Sequence, residues 1–451
     1  MITYYPYLDH VMEEYRHMAG GQGGILQGII APMVKIPPEP HLRSMTGNMP
    51  NYHKLTFNDP TKDVQYHISG YGLYNEEAFI KFLGESVERY APIVTESLFK
   101  TNAVYASYNE IKKRGKVLPL EYINIFSPEQ QRMMHMMLKP YSERHITEDD
   151  VISWINCPSL LNPGENIWVP LQMMFVGFVK DETKKELWVT PSFSTGTAAH
   201  RTVNKALLNA IVEYIQIDAF VLSWYTEHKC KRILIDDPVI QRTLEKVGLG
   251  ENSPYEIIPL YMTLPDLDLP SVMVILKRKD NKLPSLILGV QGDMDIRNAV
   301  LRGIFESTAI ISMNIYNTIY DPNKVVFSNT ETAFADLDTN VLYYGTPGHD
   351  HEIANLLKKI CGETVPLSSF EQRSLSTEMQ LSHLLNELKK VSQYAVFLDL
   401  TPPELYGKNW SIIRTFIPEL CGMCFPGLPF KNHPRMKQYG GAINGYPHPL
   451  P

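Results

Sequence analysis

A mixed α/β fold, of α/β or α+β type, is what this sequence predicts, and three observations carry the prediction. Strand-like and helical runs alternate, 451 residues at 44% hydrophobic content suffice for a large core, and no Gly/Ser linker separates two complete halves. Residues 19–50 pack Gly and Pro densely and read as turns and extended pieces. Helical periodicity then dominates residues 76–95, 202–222, 296–315 and 376–392, with strand-like runs at 187–190, 271–277 and 285–290.

The bulk numbers exclude several classes. A net charge of -7 gives no basic excess with which to neutralise phosphates, so no nucleic-acid surface is expected and any anionic ligand must be held locally. The first residues carry acids where a signal peptide needs basic ones before an apolar run, and no apolar stretch approaches the length of a membrane span. Five cysteines, an odd number in a long chain, point to a reducing compartment, with cytoplasmic localisation as the expectation.

Three of the helical segments share a spacing. Each places a Glu seven residues after an Ala, in the pairs Ala78/Glu85, Ala206/Glu213 and Ala299/Glu306. Four residues before each Glu stands Lys81, Asn209 or Arg302, and three residues after it Glu88, Gln216 or Ala309, so the set falls on one helical face. The remaining positions are largely apolar, which leaves these helices little solvated surface. An ionised carboxylate in a dry interior costs several kcal/mol unless a cation or donors compensate it. Internal salt bridges or a ligand could do so: Mg²⁺ takes oxygen ligands and travels with nucleotide phosphates, and Arg302 suits bidentate contact with a phosphate. Short turns precede the first two helices, with Ser69, Gly70 and Gly72 in one and Ser194, Thr195 and Gly196 in the other. Backbone N–H groups there could hold phosphate oxygens, or could simply cap the helices. No GxxxxGK[ST] motif is present, so a Walker-type loop is not expected.

The segments SGYGLYNEEAFIKFLGESVERY and STGTAAHRTVNKALLNAIVEYIQIDA resemble the two signature regions of the YcaO family, and AVLRGIFES resembles its third. With NVLYYGTP and DLTPPELYGKNWSIIRTFIPEL, the likeness keeps chain order from about residue 60 onward. It implies a YcaO fold of repeated strand/helix units around a nucleotide site, with ATP and Mg²⁺ as cofactors. By position it implies a cofactor-binding set of Glu85, Glu88, Asn209, Glu213, Gln216, Arg302 and Glu306, of which Glu85, Glu88, Glu213 and Glu306 would ligate metal. Lys81 stands where relatives often have Ser, Tyr71 where they often have Lys, and Gln216-Ile217 replace a Glu-Arg pair.

The sequence closes on Tyr446-Pro447-His448-Pro449-Leu450-Pro451, a PxPxP pattern that resembles the tail of azoline-forming YcaO cyclodehydratases. Alternate prolines fix an extended course at little entropic cost. The resemblance makes Pro447, Pro449, Pro451 and Arg302 the catalytic candidates, and the opening Gly-rich stretch resembles the D proteins of streptolysin S-type clusters. It implies three parts: an N-terminal Gly/Pro-rich region (1–60) integrated with the core, a catalytic core (61–440) and the tail (441–451). The implied activity is ATP-dependent cyclodehydration of Cys, Ser and Thr in a ribosomally made precursor peptide, in the making of a peptide toxin or bacteriocin. Implied partners are that peptide, a leader-binding C-type protein and a flavin-dependent dehydrogenase, with a homodimer left open. The departures at Lys81, Tyr71 and Gln216 motivate an alternative: a catalytically impaired YcaO-fold scaffold or regulatory subunit.

Other features read as structural. His349, Asp350, His351 and Glu352 form a polar loop in preference to a metal site, because the two His alternate and no distant ligand is evident. Cys421 and Cys424 form a single CxxC, better read as a buried pair than as a redox centre. The Met-rich run at 133–137 suits helix core or a partner contact.

Overall fold

The computed structural model of the protein describes residues 39–52, 67–138, 140–321 and 340–451, with His10, Glu13, Met18, Ile25, Ala31–Pro32, Asn323 and Leu337. Much of the Gly- and Pro-rich stretch, and most of region 1–60, lies outside the described residues.

Strands β1 (Ala31–Pro32), β2 (Arg43–Asn48) and β3 (His67–Gly72) form an antiparallel sheet in that order. Its last strand feeds α1 (Asn75–Lys100), whose start has no side-chain cap; Glu77 instead reaches back to the Leu73 N–H at 2.9 Å. Next come β4 (Val104–Ser107), β5 (Lys116–Val117), β6 (Val151–Pro158) and β7 (Asn166–Pro170), ordered β4-β6-β7-β5. A second strand–helix unit follows in β8 (Thr197–His200) and α2 (Val203–Tyr225), the latter capped by the Thr202 hydroxyl. Strands β9 (Cys230–Leu234), β10 (Tyr255–Tyr261), β11 (Ser271–Arg278) and β12 (Leu286–Gly292) lead into α3 (Ile296–Tyr320), capped by Asp295. After α4 (Asn340–Gly345) and α5 (Asp350–Ile360), β13 (Cys361–Pro366) joins β9 in parallel, completing a sheet ordered β12-β11-β10-β9-β13. Finally α6 (Thr377–Val391) precedes β14 (Val396–Asp399) and β15 (Ser411–Phe416), which pair with β8 as β14-β15-β8.

The four helical segments expected from periodicity are thus α1, α2, α3 and α6, and two of the strand runs are β11 and β12. The third is not a strand. Residues 187–190 hydrogen-bond to the side chain of Gln172: its Oε1 accepts from Val189 N at 2.9 Å and its Nε2 donates to Leu187 O at 3.0 Å. The buried Gln172 amide and the Ser142 N–H, which donates to Trp188 O at 2.7 Å, stand where a neighbouring strand would, which an apolar run cannot reveal.

Helix α2 is long and apolar enough to cross a membrane by length and composition alone, yet 72% of that window is buried in the protein. Its first half packs through Leu208, Ile211 and Ile215 into one core, and its second half through Phe220, Leu222 and Trp224 into another. A third core lies between α3 and the five-stranded sheet, around Val274, Leu276, Ile304 and Ile311. Helix and strand approach closely where glycine allows it. A Cβ on Gly70 would lie 1.9 Å from Ala78 O and 2.5 Å from Phe82 N, both backbone of α1. Gly70→Ala must push the whole helix off β3, with an expected cost of about 2 kcal/mol or more, seen as a lowered urea midpoint. An unchanged midpoint would mean that α1 lifts freely from its strand.

The Met-rich run lies on the helix Pro128–Met137, where Met134 is fully buried and Met136 is 70% exposed. His349 packs on the Tyr343 ring at 4.1 Å and sits 3.3 Å from Glu352. Cys421 and Cys424 are both fully buried free thiols.

Candidate active site

The three strand–turn–helix units β3–α1, β8–α2 and β12–α3 repeat one local device. In each, a helix Glu turns back and accepts from a main-chain N–H of its own strand or turn. Ser69 N donates to Glu85 Oε2 at 2.8 Å, Gly196 N to Glu213 Oε2 at 3.2 Å, and Val290 N to Glu306 Oε2 at 2.8 Å. The Ala-to-Glu spacing in the sequence is the visible trace of this repeat: two turns after the helix has met its strand, the same face brings a carboxylate to it. The N–H groups of Ser69 and Gly196, which the sequence offered as turn donors to phosphate, are therefore taken by the helix carboxylates, and Ser69, Gly70 and Gly72 lie in strand β3 rather than in a turn. Gly196 is obligatory for its turn, with φ of +83° and room for no Cβ, since one would fall 2.6 Å from Thr415 O.

These units converge on a cleft of about 1090 Å³. From α1 come Glu85 and Glu88, from α2 Asn209, Glu213 and Gln216, and from α3 Arg302 and Glu306, so the seven residues expected to bind cofactor share one wall system. Gln216 is partly committed to the fold, because its Oε1 accepts from Gly292 N at 2.5 Å and so ties α2 to β12. Arg302 is half exposed and reaches Asp293 at 3.3 Å. The tail also arrives here. Ile443 N and Asn444 N donate to Tyr225 O at the end of α2, and Leu450 and Pro451 line the cleft. Pro447 and Pro449 are buried on the way in and do not line it.

Electrostatics set the cleft's demand. Burial drives the carboxyls of Glu88 and Glu213 well above their ordinary values, opposed chiefly by Arg89, while Glu213 and Glu85 push Glu88 further up. Burial raises Glu306 to about 7 despite the bonds from Gln291 and Val290 and the charge of Arg302. Acids held this way take up protons unless a cation replaces them. Among the described residues no three His, Cys, Asp or Glu converge as a closed metal cage. The donor set instead fits Mg²⁺, which takes one or two carboxylates at a time and completes its shell with phosphate oxygens and water. Glu85, Glu88, Glu213 and Glu306 bring carboxylate oxygens to the cleft.

Further side chains shape the cleft: Arg89, Arg414 and Arg201, none of them among the residues expected to bind cofactor, and the pair Lys81 and Tyr71. Arg89 lies between Glu85, at 3.4 Å, and Glu88, at 3.8 Å. Arg414, 3% exposed, donates to Thr195 O at 2.6 Å, Thr197 Oγ1 at 3.0 Å and Ser192 Oγ at 3.1 Å, and so fixes the turn that feeds Glu213. Lys81 bonds Glu77 at 2.9 Å and lies 4.6 Å over the Tyr71 ring, so the two departures from the family pattern meet at the cleft wall. Arg201 stacks over Trp410 at 4.7 Å, also on the cleft.

A family model described as "YcaO cyclodehydratase, ATP-ad Mg2+-binding" matches residues 69–421. No curated protein sequence matches the chain. Among solved structures, a heterocyclase in complex with substrate and cofactor is 17% identical with a TM-score of 0.70; the match covers 98% of this chain and 57% of that one. This chain therefore spans little more than half the length of that protein. The YcaO protein of Methanopyrus kandleri, bound with AMPPCP and Mg²⁺, is 14% identical over 98% of this chain and 96% of that one, at a TM-score of 0.61. The E. coli microcin synthetase McbBCD complex with pro-MccB17 bound contributes a chain 13% identical, covered at 94% and 96%, with a TM-score of 0.60. At these identities the structural likeness is one of fold.

Proposed function

Because the chain belongs to the YcaO cyclodehydratase family, we propose that it closes Cys, Ser or Thr side chains of a peptide onto the preceding backbone amide, consuming ATP with Mg²⁺ and forming thiazolines or (methyl)oxazolines. The observation that carries this reading is the cleft itself: partly buried carboxylates from three helices face it, and Leu450 and Pro451 of the tail enter it.

A thiol or hydroxyl, giving up its proton to solvent, adds to the amide carbon and leaves an oxyanion on the former carbonyl oxygen. When bound, Mg-ATP would supply the phosphoryl group that turns this oxygen into a leaving group, released as phosphate as the amide N–H proton departs and the C=N bond forms. The balance is one ATP converted to ADP and phosphate for each ring closed. Glu85, Glu88, Glu213 and Glu306 would hold the cation, with Arg89 and Arg414 fixing the first three of these carboxylates or the turn behind them. Arg302, at the cleft wall, would face the charge that develops on the transferred group. Asn209 and Gln216 would line the nucleotide. Leu450 and Pro451 would close on the peptide side, with Pro447 and Pro449 holding the approach stiff.

In this reading the substrate is a ribosomal precursor with a core rich in Cys, Ser and Thr, delivered by a leader-binding partner. A flavin-dependent dehydrogenase would follow where azoles are the product. Residues 61–440 form the catalytic core, and the five free thiols suit a cytoplasmic setting. The test is mass spectrometry of such a precursor incubated with the protein, its partner and Mg-ATP. A loss of about 18 Da per ring, matched by phosphate release, is expected. An unmodified peptide in a verified complex would instead favour the non-catalytic scaffold.

A further inference from the structure

The tail segment 446–451 has prolines at 447, 449 and 451, so half of its residues have no N–H. Such a segment offers carbonyls and few donors, and whatever fixes its course must bring donors to it. Side-chain N–H groups do so at alternate carbonyls. Trp224 Nε1 donates to Tyr446 O at 3.1 Å, and Asn340 Nδ2 donates to His448 O at 2.9 Å and to Leu450 O at 2.7 Å.

Asn340 opens α4 and is 2% exposed. Both amide hydrogens go to the tail, and its Oδ1 accepts from Val341 N at 3.0 Å. Exchanging Oδ1 and Nδ2 would set an oxygen against two carbonyl oxygens, so the surroundings allow one orientation only. In an extended segment, carbonyls two residues apart point the same way, so one amide can bridge them. Two bonds to one side chain resist both pivoting and sliding of the tail, which a single bond would not. The His448 ring adds a hold of its own, with Nε2 donating to Cys424 O at 2.9 Å.

We propose that Asn340 is a positioning residue that sets how far Leu450 and Pro451 reach into the cleft, acting through the two tail carbonyls and touching no substrate. This deepens the role of the tail in the proposed cyclodehydration and rests on that reading. Asn340→Asp keeps the shape of the side chain and removes the two donors; Asn340→Ala removes the whole amide.

The experiment combines turnover with hydrogen–deuterium exchange of residues 440–451 in the full chain, using nucleotide affinity as the check on folding. Both variants are expected to lose at least about tenfold in turnover with nucleotide affinity retained, and to exchange faster across the tail. Deleting residues 447–451 should cost as much, and adding Asn340→Asp to that deletion should cost nothing more. Unchanged tail exchange, or losses that multiply in the combined variant, would overturn the assignment. Exchange needs no substrate, so faster exchange in a protein whose parent modifies no peptide would sink the proposed function and leave the clamp standing.

Discussion

Glu306→Gln is expected to lower ATP-dependent turnover about 100-fold or more while the protein stays folded. The substitution is nearly isosteric. Glu306 Oε2 accepts from Val290 N at 2.8 Å and from Gln291 Nε2 at 3.2 Å, and an amide oxygen can keep both bonds. What is lost is charge, at the single acid that α3 brings to the cleft beside Arg302. Turnover at saturating peptide, with Mg²⁺ and nucleotide titrated separately, checks it. A loss that excess Mg²⁺ restores locates the defect in cation binding, and unchanged turnover removes Glu306 from the site.

The same carboxyl gives a pH prediction whose sign is fixed. Burial raises Glu306 to about 7, above its value in the unfolded chain, so the folded state binds the extra proton between those two values. Without Mg-nucleotide, this group therefore makes the protein less stable as pH rises through that window, and no further above it. Glu306→Gln should then be more stable than the parent at pH 8, by about 1–2 kcal/mol, with the gap closing toward pH 5. Mg-nucleotide should reverse the order, because it binds the ionised form. Thermal melts at the two pH values, with and without Mg-nucleotide, make the comparison.

Arg435→Met is expected to cost about 3–5 kcal/mol of stability, the largest effect anticipated away from the cleft. Arg435, on the short helix Pro434–Gln438, is 4% exposed and bonds the fully buried Asp218 at 2.8 and 3.0 Å. It also pairs with Asp266, whose Oδ1 lies 3.1 Å from its Nη2. Asp218 in turn accepts from Cys421 N at 2.8 Å, so one carboxylate ties α2, the CxxC turn and the last helix together. Burial already pushes the Asp218 carboxyl upward, and Arg435 is the main opposing charge. Removing the guanidinium strands that carboxylate in the core. Urea titration should show the loss at pH 7 and a smaller one near pH 5, where Asp218 can protonate. Asp218→Asn in the same chain should recover part of it, because the uncompensated charge is gone. An equal loss at both pH values would mean that the damage is one of packing alone.

How much of this was legible in the sequence follows from the range over which each feature is encoded. Helices α1, α2 and α3 were readable because periodicity is local, and the Ala78/Glu85, Ala206/Glu213 and Ala299/Glu306 pairs named the cleft face because two helical turns always bring such residues into line. The run at 187–190 was misread for the opposite reason: its backbone partners are the Gln172 side chain and the Ser142 N–H, and no window around residue 188 contains them. The turn before α2 was recognised, whereas Ser69, Gly70 and Gly72 before α1 belong to strand β3; the destination of the N–H groups at Ser69 and Gly196 was not legible, since a carboxylate 16 or 17 residues ahead competes with a phosphate only once the helix has folded back.

By itself, then, the sequence determined α1, α2, α3 and α6, which acids share a face, and the family to which their order belongs, whereas α5 begins within the stretch His349–Glu352 that reads as a polar loop. Only the tertiary structure decided that three such faces meet in one cleft, that Arg414 steadies its middle turn from 219 residues away, and that Asn340 grips a tail more than 100 residues distant. Periodicity is a property of a few adjacent turns, whereas a buried charge or amide is satisfied by whichever donors the packing of three cores brings to it.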